Sequence, residues 1–410
     1  MEDNIKYKIL FVVHGYKPAY KIGGPIHSVS ALAESLVSLG HEVIVFTTDS
    51  NQDEKLEVLK NRPVIVDGVE VWYFETQNFF QNNILKLVPY FSKSIGYLYA
   101  PIMKNKLNDI MPNIDIVHTH LPFIYPTYIA SKLAKIHNKP LLYHQRGVLS
   151  DGALGFRSFK KKIYIYLIEK KIIQNSSCLI ALTKYESYTF RKYSLKEQRI
   201  SIIPNGIDIT KFSLNVTNYN DFLIDDSKIV ILFLGRLHPS KGADLLFSAF
   251  IKAIVQNDSL RLVMAGPDEY GLTEEFNQKL KDKKLQDYVF FPGIIIGDEK
   301  KRLLARADLF VLPSFSEGFS MAILEALASS TAVLISPECN FSEVQSAKAG
   351  AVITNDVKLI SNKILELTSN LDTLKKMGEN GKQLVKQFYN WKIISKQFLD
   401  LYKVILKKEK

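Results

Sequence analysis

One segment, LFVLPSFSEGFSMAILE at residues 309–325, has the pattern of a buried strand followed by a turn and a packed helix. Leu309 to Leu312 is an apolar run of strand length, and Met321 to Leu327 has the apolar density of a helix that covers a sheet. The turn between them leaves the first helical N–H groups without helical partners, and phosphate oxygens are their natural ligands. The segment therefore predicts a strand–turn–helix unit with an anion site at its turn.

Two carboxylates, Glu317 and Glu325, lie at this turn and in the helix that follows it. We expect Glu317 at the edge of the site, and Glu325 can lean back toward the same ligand because helical side chains point toward the helix N-terminus. A simpler interpretation makes Glu317 a helix-dipole cap and Glu325 a solvated residue. The apolar neighbours of Glu325 favour the ligand interpretation, since a buried charge needs a partner. One carboxylate would then hold a sugar and the other a ribose.

Composition limits the class of protein. The chain has 410 residues, 47% of them hydrophobic, which favours two globular domains. No apolar run is long enough for a membrane-spanning helix, and the N-terminus lacks the basic and apolar pattern of an export signal, so we expect a cytoplasmic protein. Cys178 and Cys339 have neither metal nor redox spacing, which is typical of inert thiols in a reducing compartment.

The net charge of +11 is concentrated in residues 151–200, which hold eleven Lys or Arg and four acids. Within them, FRSFKKKIYIY at residues 156–166 combines cations with large apolar side chains, as helices bound to membrane surfaces do. We expect the basic segment 156–171 to contact an anionic membrane, with a solvated helix face as the alternative. Nucleic-acid binding is disfavoured because no nucleic-acid fold signature accompanies the charge.

Strand and helix patterns alternate twice along the chain, which predicts two doubly wound domains with parallel sheets covered by helices. The predicted strands are 8–13, 42–47, 115–118, 140–143, 178–182 and 200–203, then 228–234, 260–265, 288–291, 308–312 and 332–335. The predicted divisions are a first domain 1–203, a turn-rich linker 204–227, a second domain 228–385 and a helix 386–410 that returns to the first domain.

Loops after predicted strands carry further candidate ligands. Gly23 and Gly24 precede the first helix, where open α/β sheets bind ligands, although a glycine pair alone more often marks a turn. Arg236 and Lys241 lie between a strand and a helix of the second half. Unless they are ordinary surface cations, we expect them to hold a diphosphate and to stabilise charge on a departing phosphate oxygen.

Three histidines end two strands of the first half: His118, His120 and His144. They suggest zinc, but their spacing is not that of a metal site. The Asp-x-Asp pattern of metal-dependent sugar transferases is absent from the chain. We therefore predict no metal site and a metal-free mechanism.

Together these motifs resemble those of the retaining glycosyltransferases of family 4, which have the GT-B fold. The resemblance covers nearly the whole chain and rests on GGP at 23–25, IPNGID at 203–208, GRL at 235–237 with KG at 241–242, AGP at 265–267 and SEGFSMAILEA at 316–326. It implies two Rossmann-like domains that face each other across a cleft, the first binding an acceptor and the second a nucleotide-sugar.

The same resemblance implies roles for single residues. It places Arg236 and Lys241 on the diphosphate, Glu317 on sugar hydroxyls and Glu325 on the ribose. Further donor contacts are implied for Gly23, Gly24, Gly318, Phe319, Ser320 and, at the nucleotide base, Gly293. The donor is a co-substrate, so no cofactor is expected. Such enzymes keep the anomeric configuration, and the leaving phosphate takes the acceptor proton, so no side-chain base is required.

The chain departs from the family pattern at Arg146, where many relatives carry a histidine that faces the donor sugar. His144 lies two residues earlier. Since an arginine cannot act as a base at neutral pH, we expect Arg146 to position substrate or balance charge. Whether His144 takes the place of the family histidine stays open.

The sequence thus predicts a metal-independent, retaining glycosyltransferase. A lipid-linked saccharide acceptor in surface polysaccharide synthesis, at the inner face of the cytoplasmic membrane, is the expected context. The alternatives are a sugar-nucleotide epimerase of the same fold, a basic nucleic-acid-binding protein and an inactive partner subunit.

Overall fold

Alternating strands and helices build two large sheets in the computed structural model, which describes residues 5–77, 98–149, 162–212 and 224–408. The chain divides into a first unit, Met1–Gly206 with Trp391–Lys410, and a second unit, Ile207–Asn390. The α/β class and the two sheets, predicted from the alternating patterns, are confirmed. Each predicted strand is present, with its ends within two residues of the predicted ones.

The described part of the first unit holds ten strands. They are β1 Lys8–Val12, β2 Glu42–Thr48, β3 Ser50–Asn51, β4 Glu54–Lys55, β5 Pro63–Val66, β6 Val69–Phe74, β7 Ile116–His120, β8 Leu141–His144, β9 Cys178–Ala181 and β10 Ile200–Ile202. Eight of them form one sheet in the order β10-β9-β8-β7-β1-β2-β6-β5, and β3 pairs with β4. This order places the carboxyl ends of β1, β7 and β8 side by side.

Helices cover both faces of this sheet. They are α1 Gly24–Ser38, α2 Pro101–Ile110, α3 Tyr125–Ile136, α4 Lys170–Asn175 and α5 Lys184–Arg191, with a π-helical turn Ile165–Glu169 before α4. Two hydrophobic cores result, one on each face, because apolar side chains alternate along the strands: Ile9 and Phe11 pack on one side, Leu10 and Val12 on the other.

The edge of the first sheet differs from the parallel arrangement predicted from the sequence, because β5 runs antiparallel to β6. Asp67 and Gly68, with φ of 49° and 81°, make the turn between them. Asp-Gly is a common turn pair in tight β-hairpins, since both positions require positive φ.

The second unit holds a six-stranded parallel sheet. Its strands are β11 Ile229–Leu234, β12 Leu260–Ala265, β13 Val289–Gly293, β14 Leu309–Leu312, β15 Ala332–Ile335 and β16 Gly350–Val352. Its helices are α6 Ala243–Ile254, α7 Leu272–Lys283, α8 Gly297–Arg306, α9 Met321–Ala328, α10 Glu343–Ser346, α11 Val357–Thr368 and α12 Leu371–Phe388. The strand order is β13-β12-β11-β14-β15-β16. Ile207 and Ile224, both from the predicted linker, are buried in the core of this unit.

The C-terminal helix, α13 Trp391–Lys408, belongs to the first unit, and it begins later than residue 386, where the sequence placed its start. The chain leaves helical geometry at Tyr389, whose carbonyl accepts the N–H of Ile207 at 2.7 Å. The Asn390 amide also donates to the carbonyl of Lys386, at 2.6 Å, and so satisfies an end carbonyl of α12.

Helix α13 packs on α1, and the hydroxyl of Ser395 donates to that of Ser35 at 2.7 Å. Among the described residues, no helix is long and apolar enough to cross a membrane. Both cysteines are buried free thiols.

Candidate active site

In the second unit, the loops after β11 and β14 leave the same sheet edge, because these strands are parallel neighbours. The N–H of Phe315 donates to the carbonyl of Ser240 at 2.9 Å, which ties the two loops together. Gly242 lies between them with φ of 68°, and a Cβ there would meet the carbonyl oxygen of Pro313 at 2.0 Å. Only glycine fits this approach, so the two loops are held in one fixed arrangement.

This arrangement pairs Lys241 with Glu317. The Lys241 Nζ lies 2.6 Å from the Glu317 Oε1, and the two side chains are only 19% and 11% exposed. The backbone of Glu317 is anchored as well, since its N–H donates to the carbonyl of Glu338 at 3.1 Å and its carbonyl accepts from the Asn340 amide at 2.9 Å. The site therefore presents a fixed ammonium beside a fixed carboxylate.

Glu317 is not the N-cap residue of α9, and its side chain pairs with Lys241. Ser320 is the N-cap residue of α9, and its hydroxyl accepts the N–H of Ile323 at 3.5 Å. The ring of Phe319 packs near those of Phe341 and Tyr389, and Gly318 has no side chain. Both residues therefore present backbone groups at the turn.

Glu325 is not a solvated residue either. Its side chain is 15% exposed, and Oε1 lies 2.7 Å from the Nζ of Lys300 on α8. The second carboxylate of the motif thus has its own cation. Sequence reasoning missed Lys300, because no motif marks it and its pairing follows from the packing of α8 beside α9.

Arg236 is the most accessible of the predicted cations. Its side chain is 51% exposed and lies 3.5 Å from the Glu269 carboxylate, an exposed pair that contributes little to stability. Gly266, after β12, allows its loop to approach Gly235, the residue before Arg236. A Cβ at Gly266 would meet the carbonyl oxygen of Gly235 at 1.8 Å. Gly293, at the end of β13, has φ of 74° and open space beside its Cα.

In the first unit, Gly23 and Gly24 open α1. Gly23 has φ of 95° and provides no side-chain cap, and Pro25 occupies the first turn. A Cβ at either glycine would meet nothing within 4 Å. The space beside these two glycines is therefore open, although the N–H of Ile26 in the first turn already donates to the carbonyl of Gly23 at 3.1 Å.

Arg146 connects three segments of the first unit. Its guanidinium donates to Ser28 Oγ at 2.7 Å, Asn205 Oδ1 at 3.1 Å and His120 Nδ1 at 3.3 Å. Burial lowers the pKa of Arg146 to about 9, so it stays charged at neutral pH. The residue has φ of 52°, a left-handed conformation that is uncommon outside glycine. Sequence reasoning identified Arg146 and did not foresee its partners.

The side chain of His144 is buried. It is 1% exposed, and in the described part of the chain neither of its ring nitrogens has a hydrogen-bond partner. Burial, assisted by the charge of Arg146, holds the pKa of His144 well below its usual value. The ring is therefore neutral and stacked 5.7 Å from that of His118, which does not suit a group that meets a sugar.

Ring nitrogens of His118, His120 and His144 lie within 4.8 Å of one another, a grouping that could hold a metal ion. Their spacing in the sequence did not indicate it. The charged Arg146, which donates to His120, opposes a cation at this place. These side chains therefore fit a metal poorly.

Two buried glutamates support the loops of the first unit. Glu186 accepts the N–H of Leu182 at 2.8 Å, and burial raises its pKa to about 7 although Arg146 lowers it. Glu169 accepts the Tyr143 hydroxyl at 2.5 Å and the N–H of Phe123 at 3.1 Å, and burial raises its pKa to about 7. Neither was predicted, since single glutamates in a basic region give no sequence signal.

Comparisons with known proteins agree with these features. The family model for glycosyl transferases group 1 matches residues 217–384, and that for glycosyltransferase family 4 matches residues 22–211. The chain is 25% identical over 409 residues to an uncharacterised glycosyltransferase of Methanocaldococcus jannaschii, covering 97% of this chain and 98% of that protein. It is 25% identical over 330 residues to the alpha-monoglucosyldiacylglycerol synthase of Streptococcus pneumoniae, covering 77% and 68%.

Solved structures show the same fold. The sucrose-phosphate synthase from Thermosynechococcus elongatus superposes with a TM-score of 0.75 at 19% identity, covering 98% of this chain and 100% of that one. Anabaena HepE in complex with UDP and glucose superposes with a TM-score of 0.72 at 17% identity, covering 97% and 100%. The two family matches lie on the two units and together span most of the sequence. The chain therefore belongs to the family 4 type of glycosyltransferases and has the GT-B fold.

Proposed function

We propose that this protein transfers a sugar from a nucleoside-diphosphate sugar to a saccharide acceptor, with retention of anomeric configuration and without a metal ion. The observation that carries the proposal is the Lys241–Glu317 pair, 2.6 Å apart and mostly buried at the turn into α9. A fixed ammonium suits a phosphate oxygen, and the carboxylate beside it can accept hydrogen bonds from sugar hydroxyls. HepE was solved with UDP and glucose, which supports a donor of this class.

The rest of the donor site follows from the same edge of the second sheet. Glu325 contacts Lys300 through Oε1, so its other oxygen can accept a ribose hydroxyl. The turn at Gly318 and the N-terminus of α9 offer N–H groups to phosphate and sugar oxygens. Gly293 lies in open space at the end of β13, where backbone groups can reach a base.

In the proposed reaction, the bond between the anomeric carbon and the diphosphate oxygen breaks. Negative charge grows on that oxygen, and Lys241 and Arg236 stabilise it. The acceptor hydroxyl attacks the anomeric carbon from the same face and gives its proton to the leaving phosphate. The neutral, buried His144 takes no part in this proton transfer.

The test is an assay with sugar nucleotides of uridine, guanosine and adenosine, simple glycoside acceptors and the purified chain. We expect a glycoside whose anomeric proton coupling in NMR matches the donor configuration, with equal rates in EDTA and in added Mn²⁺. An inverted product contradicts retention, and a rate that EDTA abolishes and Mn²⁺ restores contradicts the metal-free mechanism. An altered free sugar formed without acceptor would identify an epimerase.

We also propose that the acceptor is lipid-linked and belongs to surface polysaccharide synthesis at the inner face of the cytoplasmic membrane. Residues 156–161 of the predicted membrane segment lie outside the described residues. The described remainder exposes Ile163, Tyr166 and Leu167 at 39%, 71% and 55%. Lys170 Nζ lies 5.9 Å from the Tyr166 ring, so cations and apolar groups share one surface, as membrane-bound helices require. The Streptococcus pneumoniae relative is named for a glycosylated diacylglycerol.

Liposome flotation tests the membrane proposal. We expect the chain to float with phosphatidylglycerol vesicles at low salt and to be released at high salt, because exposed charges are screened. Replacing Tyr166 and Leu167 by serine should abolish flotation. Tyr270→Ser, at an exposed aromatic residue of the second unit, is the matched control and should float normally. Failure of the wild-type chain to float would remove the membrane part of the proposal.

A further inference from the structure

A row of buried side chains leads from the C-terminal helix to Arg146 within the first unit. The Tyr402 hydroxyl on α13 lies 3.0 Å from His118 Nδ1. The rings of His118 and His120 follow, with centroids 4.2 Å apart. His120 Nδ1 then accepts the Nε–H of Arg146 at 3.3 Å. All three members before Arg146 are fully buried, so these contacts are shielded from solvent.

The chemistry of Arg146 fixes the proton on His120. A guanidinium can only donate, so His120 Nδ1 must be an unprotonated acceptor and the ring proton of neutral His120 lies on Nε2. Burial holds the pKa of His120 and of His118 well below the usual value, so both rings are neutral at physiological pH. Burial also raises the pKa of Tyr402, which keeps its hydroxyl proton.

Packing fixes the orientation of these rings. Phe11 meets His118 and His120 edge to face, with centroids 5.1 Å and 5.0 Å away. Phe398 of α13 also packs on His118, with ring centroids 5.4 Å apart. A ring held this way by its neighbours can hold a hydrogen-bond partner in one position.

We propose that Tyr402, His118 and His120 are positioning residues, which set the orientation of the Arg146 guanidinium and so make the C-terminal helix part of the site's support. Tyr402 fixes His118, His118 packs on His120, and His120 accepts from Arg146. The importance of Arg146 for sugar transfer rests on the proposed function. The arrangement of the four side chains does not rest on it, so the positioning role and the proposed function can be disproved separately.

A metal ion held by the three histidines is the competing interpretation of the same side chains. It would take lone pairs of these rings and place positive charge beside Arg146. Stoichiometric uptake of Zn²⁺ or Co²⁺ by the full-length chain, with loss on replacing His118 by leucine, would overturn the positioning role.

The first experiment is NMR of the full-length chain labelled with ¹⁵N-histidine at neutral pH. We expect His120 as the Nε2–H tautomer, and Tyr402→Phe should shift the ring signals of both His118 and His120. Tyr16→Phe is the matched control, since its buried hydroxyl has no hydrogen-bond partner in the described part of the chain. It should leave both signals unchanged. An Nδ1–H tautomer at His120, or signals that ignore Tyr402→Phe, would overturn the proposal.

The second experiment separates positioning from stability. His120→Leu removes the acceptor and should lower kcat by about tenfold or more while the donor KM changes by less than about twofold. His120→Asn keeps an acceptor near the Nδ1 position and should recover most of the loss. Equal losses in the two variants would indicate a structural role only. If the wild-type chain transfers no sugar, the proposed function fails and the NMR result still decides the positioning role.

Discussion

At the scale of residues, the candidate donor site depends on two carboxylates whose charges are compensated by nearby lysines. Glu317 has Lys241 and Glu325 has Lys300, each at hydrogen-bonding distance and mostly out of solvent. Each pair orients a carboxylate in a setting where an unpaired charge would be costly. The same pairs make both positions sensitive to substitution.

Removing the ammonium of Lys241 should strongly lower turnover. Lys241→Met takes away the charge proposed to stabilise the leaving phosphate, and loss of one such preorganised group lowers kcat by about a hundredfold. Steady-state kinetics with the preferred donor measure it. Lys279→Met, in an exposed pair with Glu275, is the control and should change kcat by less than about twofold. Wild-type turnover in Lys241→Met would contradict the role of the leaving-group cation.

The buried Glu169 should give stability a recognisable pH dependence. Its folded pKa of about 7 is above the unfolded value of about 4.5, so its contribution is fully present below pH 4.5 and is lost as pH rises through 7. Glu169→Gln cannot ionise and loses one hydrogen bond at every pH. Its stability relative to wild type should therefore rise by roughly 1–3 kcal/mol between about pH 5 and pH 8.

Urea unfolding at several pH values measures this change. Glu275→Gln, at an exposed residue of α7, should show a nearly constant difference from wild type over the same range. A Glu169→Gln difference that is equally flat would show that Glu169 ionises normally in the folded chain.

At the scale of elements, strands buried on both faces were predictable because their sequences are continuous apolar runs. Ile229–Leu234 and Leu309–Leu312 are examples. The edge strand β5 was missed because its residues are alternately exposed and only partly buried, which gives a weak apolar signal. The end of α12 was missed because it depends on a contact far away in the sequence. The carbonyl of Tyr389, just after the helix, accepts a hydrogen bond from the N–H of Ile207.

The loop pair at the donor site should tolerate no side chain at Gly242. Gly242→Ala combines positive φ with a clash against Pro313, whereas Gly271→Ala combines a similar φ of 70° with open space. The control should cost about 1 kcal/mol, and Gly242→Ala should cost more than about 3 kcal/mol and weaken donor binding. Urea unfolding and donor titration measure the two effects. Equal costs would mean that the loops are not held together as described.

At the scale of the whole molecule, the last helix completes the core of the first unit although it follows the second unit in the chain. Ile394, Phe398 and Tyr402 of α13 are buried with residues of β1 and α1. The first unit is therefore built from both ends of the sequence, and it needs the C-terminal residues to bury its core.

A core substitution in one unit should destabilise that unit and leave the other unchanged. Phe398→Ala should destabilise the first unit by about 3–5 kcal/mol, and Phe250→Ala should do the same to the second. Hydrogen exchange followed by mass spectrometry should show lost protection in β1 and α1 for the first variant and in β11 and α6 for the second. Loss of protection in the second unit caused by Phe398→Ala alone would contradict this assignment of α13.

Residues of the candidate site could be predicted where they belong to short sequence motifs. They could not be predicted where their position depends on how distant elements pack together. Glu317, Glu325 and Lys241 lie in short motifs whose strand–turn–helix setting could be inferred from local patterns. Lys300 and the row from Tyr402 to Arg146 depend on which helices pack together, so no local pattern shows them. The role of His144 was left open by the sequence, and its burial in the structure likewise depends on packing that no local pattern shows.

The most direct test of the account is calorimetric titration of the full chain with UDP-, GDP- and ADP-sugars, wild type beside Glu325→Ala. We predict that one donor class binds the wild type at one site per chain and that Glu325→Ala weakens this binding by about tenfold or more, as expected when a hydrogen-bonded carboxylate is removed. No binding of any sugar nucleotide, or equal affinity of the two proteins, would contradict the account.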